Sequence, residues 1–316
     1  MTGESAVRSR RARYVRRAVI LIVSLPLSAM LVAGLLVGAW LAGIRVPVAS
    51  GTTWFQVTKT GEAHFSDGPD GPVFVLAIGN DYRPGVDGRR GDALHLIGVN
   101  KALGQATILN FPRDLGVPIP GHGTTKINAA NAYGGPRLTA QTIGALVGID
   151  IPYVIETDFA GFQAMVDEMG GLDVDVPYAM DDHYSGAVFA PGPTHMNGAQ
   201  ALAFSRDRYD HPTGDIKRTE NQGLLIISAL AQLRAQGTGA AGTLKGLAVL
   251  GRHTTLDGVG LGDLYRLARL GLSIDPAQVR NVVVPVGSGR GSNLALAGAA
   301  QGLFEDFRDD GVLQSH

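Results

Sequence analysis

Pro72-Val-Phe-Val-Leu-Ala-Ile-Gly79 is an unbroken apolar run closed at its ends by a proline and a glycine. A run of this length, rich in valine and bounded by turn formers, reads as a buried strand. Two more strands follow at 93–99 and 106–111, with hairpin character between them at 100–104. Helical spacing then appears at 127–133 and 138–147, a short strand at 153–156, and an amphipathic helix at 159–169 with Phe159, Phe162 and Val166 on one side. Gly170-Gly171 stops that helix. Leu172-Asp-Val-Asp-Val176 alternates strictly, which marks a strand with one wet face. A long helix runs from Asp215 to the glycines at 237–242, followed by a helix near 261–272, a strand at 279–286 and a last helix near 295–307. Strands alternating with helices predict an α/β fold, an α-β-α sandwich around a mixed central sheet, over 72–316.

The N-terminus predicts one transmembrane helix ahead of that domain. Residues 1–17 carry six arginines and one acid, and 18–44 hold no charged residue. At about 1.5 Å per residue that run exceeds a hydrocarbon core of about 30 Å. A secretory signal would have an apolar region of only about 7–15 residues. The basic flank keeps residues 1–17 in the cytoplasm and places the rest outside. The sequence is therefore read as a cytoplasmic tail (1–17), an uncleaved single span (18–44), an extracytoplasmic stalk (45–71) and a folded domain with no large addition after its core.

Charge divides at the span. Residues 1–45 hold seven Lys and Arg against one acid, net +6, and the remainder holds 20 against 27, net −7. A mildly acidic exported part excludes a general nucleic-acid binder. The chain has no cysteine, so disulfides, thiol catalysis and Cys-type zinc sites are excluded. No paired-histidine zinc spacing, Walker loop, dinucleotide fingerprint or Gly-x-Ser-x-Gly elbow occurs.

Chemistry concentrates in four clusters that join arginine to aspartate. Gly79-Asn-Asp81-Tyr-Arg83 follows the first strand, Arg90-Gly-Asp92 precedes the second, and Pro112-Arg113-Asp114 follows the third. The fourth is Arg206-Asp-Arg208 with Asp215-Ile-Lys-Arg218-Thr-Glu-Asn-Gln222, where Asp215, Arg218 and Gln222 share one face of a helix. A solvated helix with internal ion pairs would give the same spacing. Loops at strand ends are the usual ligand positions in α/β proteins. Guanidinium forks suit phosphate pairwise. Two carboxylates on neighbouring loops, Asp81 and Asp92, suit one Mg²⁺ completed by phosphate oxygens.

With Lys126-Ile-Asn128, Tyr133-Gly-Gly, the stretch Val166 to Pro177, and Met196-Asn-Gly-Ala-Gln-Ala-Leu-Ala-Phe-Ser205, these clusters stand in the order seen in the LytR–CpsA–Psr family of bacterial cell-wall assembly proteins. The sequence resembles that family from about 73 to 233. The resemblance implies an α-β-α fold with a groove for a polyprenyl chain. It implies a membrane-anchored phosphotransferase that moves a glycopolymer from a polyprenyl-pyrophosphate carrier to peptidoglycan and forms a phosphodiester. Carried over by position, Arg83, Arg90, Arg113, Arg206, Arg208, Arg218 and Gln222 bind the pyrophosphate. Asp81, Asp92, Arg113 and Arg218 are catalytic, and Asp81 and Asp92 hold Mg²⁺. Lys126 and Asp215 support the arginines. Two departures stand out: Gly91 where the family often has serine, and Asn221 where a second arginine often precedes the glutamine. A non-catalytic polyprenyl-phosphate binder, an envelope or transcriptional regulator, and a lipid pyrophosphatase are the competing readings.

Overall fold

The structure is a computed structural model that describes residues 55–61, 71–81, 89–240, 242–244, 247 and 253–314. The expected tail and membrane span, and Arg83, lie outside the described residues. Among those described, no helix is long and apolar enough to cross a membrane.

Seven strands form the central sheet: β1 (Phe55–Lys59), β2 (Val73–Asn80), β3 (Gly91–Asn100), β4 (Gln105–Asn110), β5 (Tyr153–Asp158), β6 (Thr254–Asp257) and β7 (Val279–Val283). Their spatial order is β6-β1-β5-β2-β3-β4-β7. The β2–β5, β4–β7 and β1–β6 pairs are parallel, and β2–β3, β3–β4 and β1–β5 are antiparallel, so the sheet is mixed as expected. The helices are α1 (Ala129–Val147), α2 (Phe159–Glu168), α3 (Gly198–Arg206), α4 (Asp215–Ala235), α5 (Leu261–Ser273) and α6 (Ala299–Asp310).

The period of two along β2 sorts the core. Phe74, Leu76 and Ile78 pack with Leu94, Leu96, α1 and α6 on one face. Val73 and Val75 pack with Val99, Tyr153 and α5 on the other. The α1 segment holds the two expected helical stretches, kinked at Gly134 and Gly135, with Pro136 opening the second part. A separate apolar cluster joins α2, α3 and α4 to a ribbon of Leu172–Val176 and Gly192–Met196, whose alternation is buried-exposed as read.

Three boundaries differ from the sequence reading. Phe55–Lys59, assigned to a stalk, is a strand paired on both edges, with Val57 buried. Its partners lie about 100 and 200 residues away along the chain, so no local pattern announces the pairing. β3 begins at Gly91 rather than 93, because a register shift at Gly79/Asn80 extends its pairing with β2. The 279–286 strand is split: β7 ends at Val283, and Val286–Ser288 pairs with Leu294–Leu296 before α6 starts at Ala299.

Candidate active site

The strand directions bring the C-terminal ends of β2, β4 and β5 and the N-terminal end of β3 to one edge of the sheet. Asp81, Asp92, Arg113 and Asp158 stand there. On the face toward α4, the pattern that places Val73 and Val75 continues as Ala77 and Gly79, opposite His95 and Ala93. These small residues leave a cavity of about 440 Å³ between the sheet and helices α2, α3 and α4.

One end of the cavity is polar, lined by Asp81, Asp92, Arg113, Arg206, Arg208, Arg218 and Gln222. The rest is lined mainly by apolar side chains, including Ile155, Phe159, Phe162, Met165, Leu202, Leu225 and Ile226. Asp215 organises the polar end. Its Oδ1 lies 2.7 Å from Arg218 Nη2, 3.4 Å from Arg208 Nε and 3.7 Å from Arg113 Nε. Arg113 Nη1 also reaches Asp92 Oδ1 at 3.0 Å, to which Asn128 donates at 3.4 Å. Arg206 lies over the Phe159 ring at 5.3 Å, and Gln222 Nε2 donates to the Ser205 carbonyl at 3.0 Å.

The ion pairs leave hydrogen-bonding capacity unused. Arg113 Nε, Arg208 Nε, Arg218 Nε and Nη2, both oxygens of Asp215 and Oε1 of Gln222 are buried without a hydrogen-bond partner among the described residues. The 2.7 Å contact of Asp215 with Arg218 is thus an ion pair without hydrogen-bond alignment. Buried polar atoms are normally satisfied, and orphans gathered in one cavity mark a place for a ligand. Burial draws the Arg218 guanidinium down to about 10; Asp215 opposes the shift, and Arg113 and Arg208 add to it. Burial acts the same way on Arg113, but Asp92 and Asp215 outweigh it and hold that cation above its ordinary value.

The remaining expected residues fall apart from this group. Arg90 is exposed and does not line the cavity. Lys126 pairs with Asp114 at 2.7 Å, so it steadies the segment beside Arg113 and does not contact the cavity. Two residues that sequence reasoning passed over, Tyr178 and Asp207, form one hydrogen-bonded chain with Asn221, which it had noted only as a departure. Asn221 Nδ2 donates to the Tyr178 hydroxyl at 2.9 Å, and that hydroxyl donates to Asp207 Oδ2 at 2.7 Å. Burial raises the Asp207 carboxyl despite the Tyr178 bond, and Asp210 and Asp182 add to the effect. The position of Asp207 between two arginines was the available signal; Tyr178 had none.

This arrangement coincides with a match of residues 49–301 to the LytR_cpsA_psr family model. The chain belongs to the LytR_cpsA_psr family. A curated relative, the polyisoprenyl-teichoic acid–peptidoglycan teichoic acid transferase TagU of Bacillus cereus, is 38% identical over 154 residues, covering 48% of this chain and 49% of the relative. The chain thus spans about half the length of the curated relatives it matches. Among solved structures, TagV of B. subtilis superposes with a TM-score of 0.64 at 22% identity, over 78% of this chain and 99% of that one. The family protein YwtF (TagT) with bound octaprenyl pyrophosphate lipid gives 0.59 at 22% identity, over 80% and 97%. These superpositions establish the family fold for the described domain. Within the family motif, the position of Asn221 is fully buried and already filled by its bond to Tyr178.

Proposed function

We propose that the protein is a membrane-anchored phosphotransferase, a glycopolymer–peptidoglycan ligase. It transfers a glycan phosphate from a polyprenyl-pyrophosphate carrier to a peptidoglycan hydroxyl and forms a phosphodiester. The observation that carries this reading is the two-part cavity, with orphaned arginine donors at one end and an apolar arm running from them. A lipid pyrophosphate has the same two parts in the same order. The bound lipid named for YwtF (TagT) and the acceptor named for TagU support the reading. The charge-free run at 18–44 is the anchor, with the N-terminus in the cytoplasm and the catalytic domain outside.

Phosphoryl transfer needs positioning and charge neutralisation more than covalent chemistry. Arg113, Arg206, Arg208 and Arg218 hold the pyrophosphate oxygens, with Gln222 beside them. Arg90, on the segment just before β3, is exposed and available to an anion arriving from solvent. Asp215 fixes the arginines in place. The acceptor oxygen attacks the phosphorus that bears the glycan, the bond to the bridging oxygen breaks, and polyprenyl phosphate leaves. Asp81 or Asp92 takes the proton of the attacking hydroxyl. The alternative role for these two carboxylates, both of which line the cavity, is to hold one Mg²⁺, which takes one or two protein carboxylates together with phosphate oxygens. Bound there, the ion would neutralise charge developing on the phosphate.

The test is turnover by the full chain in detergent, with Mg²⁺, a lipid-pyrophosphate-linked glycan and a peptidoglycan oligomer. A phosphodiester-linked product that requires Arg218 and Asp92 supports the ligase. Free glycan phosphate as the only product would replace it with a pyrophosphatase, and tight lipid binding without turnover with a carrier or regulator.

A further inference from the structure

Tyr184 and Tyr209 are 74% and 66% exposed, and both border the arginine end of the cavity beside Arg206 and Arg208. Their ring centroids lie 5.0 Å apart at an interplanar angle of 42°, and the His183 ring stands 5.4 Å from Tyr184. Paired aromatic rings left in solvent do nothing for the core. Their segments, however, are tied down by hydrogen bonds, one set of them to a buried carboxylate. Asp182, only 2% exposed, accepts from the backbone N–H of Tyr184 at 2.8 Å and of Ser185 at 3.3 Å through Oδ1, and from that of Arg208 at 3.2 Å through Oδ2. In return Asp210 Oδ2 accepts from the Asp181 N–H at 2.6 Å. Asp182, two residues before Tyr184, thus holds the segment of Tyr209, and Asp210, directly after Tyr209, holds the segment of Tyr184. Two carboxylates hold two exposed rings side by side.

An occupant of such a platform has a flat C–H face for the rings and polar groups for the water around them. It also sits within reach of groups that hold a phosphate. We propose that Tyr184 and Tyr209 form a stacking subsite for a pyranose ring of the glycan at the mouth of the cavity. This rests on the phosphotransferase reading above. The ring can come from the lipid-linked donor or from the peptidoglycan acceptor, and both present the same face to the platform.

The experiment uses the full chain in detergent, as wild type, as the double variant Tyr184→Ala/Tyr209→Ala, and as Tyr184→Phe/Tyr209→Phe. Each is titrated with bare polyprenyl pyrophosphate and with the same lipid carrying a disaccharide, and the KM for a peptidoglycan oligomer is measured. The alanine variant should bind the bare lipid as wild type does. A donor subsite shows as affinity for the sugar-bearing lipid weakened about tenfold. An acceptor subsite shows as an acceptor KM raised about tenfold with donor affinity unchanged. The phenylalanine variant keeps the ring faces and should stay near wild type. Unchanged sugar-lipid affinity and unchanged KM would overturn the subsite, as would an equal loss for the bare lipid. Failure of wild type to bind the bare lipid would instead remove the phosphotransferase reading, and the subsite with it.

Discussion

Asp215 Oδ1 lies 2.7 Å from Arg218 Nη2, one helical turn away on α4, and the same oxygen faces Arg113 and Arg208. One carboxylate therefore holds three cations contributed by the end of β4, the end of α3 and the start of α4. Without it, the buried Arg218 would face Arg113 and Arg208 with only Asp92, already paired to Arg113, as a nearby counter-charge. Breaking such a buried pair on one side costs about 3–5 kcal/mol. Asp215→Asn should lower the denaturation midpoint by an amount of that order, and added inorganic pyrophosphate should restore part of it by binding the folded form. Thermal or denaturant melting with and without the anion reads both effects. An unchanged midpoint would mean that Asp215 is not the organising charge.

Arg218 is expected to act as a fork and not as a point charge. Arg218→Lys keeps a cation but loses the planar donors, and transfer should fall by about 10²–10³. Turnover of the lysine variant checks this, and transfer at the wild-type rate would show that a point charge suffices.

His95 is buried against Asn110, with 2.6 Å between Nδ1 and Oδ1, and burial lowers its pKa to about 4. It is neutral in the fold at pH 7, whereas the unfolded chain binds its proton below about 6.5. Stability should therefore fall as pH drops from about 6.5 to 4, by about 3 kcal/mol from this group. Comparison of wild type with His95→Gln by denaturant unfolding over that range isolates the contribution. Identical pH slopes for the two proteins would contradict it.

At Gly223, α4 packs tightly against the sheet residues Asn281 and Asn110. A Cβ there would meet Asn281 Oδ1 at 1.9 Å and Asn110 Oδ1 at 2.9 Å. Asn281 Nδ2 also donates to the Glu220 carbonyl at 2.9 Å, which pins the same turn of the helix. Alanine gains about 1 kcal/mol of helix propensity over glycine, but overpacking costs about 1–3 kcal/mol. Gly223→Ala should therefore destabilise the protein and, by lifting Arg218 and Gln222 from their places, reduce turnover. A raised melting temperature would show that the contact yields more readily than the geometry implies.

Much of this was legible from local pattern. The run at 72–79 and the alternation of 172–176 give strands with boundaries correct to about one residue, because their apolar content repeats at the strand period. The spacing of Asp215, Arg218 and Gln222 gives the polar face of α4, from which Arg218 and Gln222 line the cavity and Asp215 pairs with Arg218. Long-range closeness was not legible. Phe55–Lys59 looks like spacer until β5 and β6 pair with it. Tyr178, Asp207 and Asn221 lie 29 and 43 residues apart along the chain, and only folding makes them one network. Lys126 stands near the site in the motif order, yet its charge is taken up by Asp114.

The central claim is that one cavity holds a lipid pyrophosphate head-first among the arginines. The most direct measurement is a crystal structure of the protein with bound polyprenyl pyrophosphate. The account predicts pyrophosphate oxygens within hydrogen-bond distance of Arg113, Arg208 and Arg218, with the prenyl chain along Phe162, Met165, Leu202 and Leu225. A lipid bound elsewhere, or one whose phosphates leave the Arg218 and Arg208 donors unpaired, would contradict it.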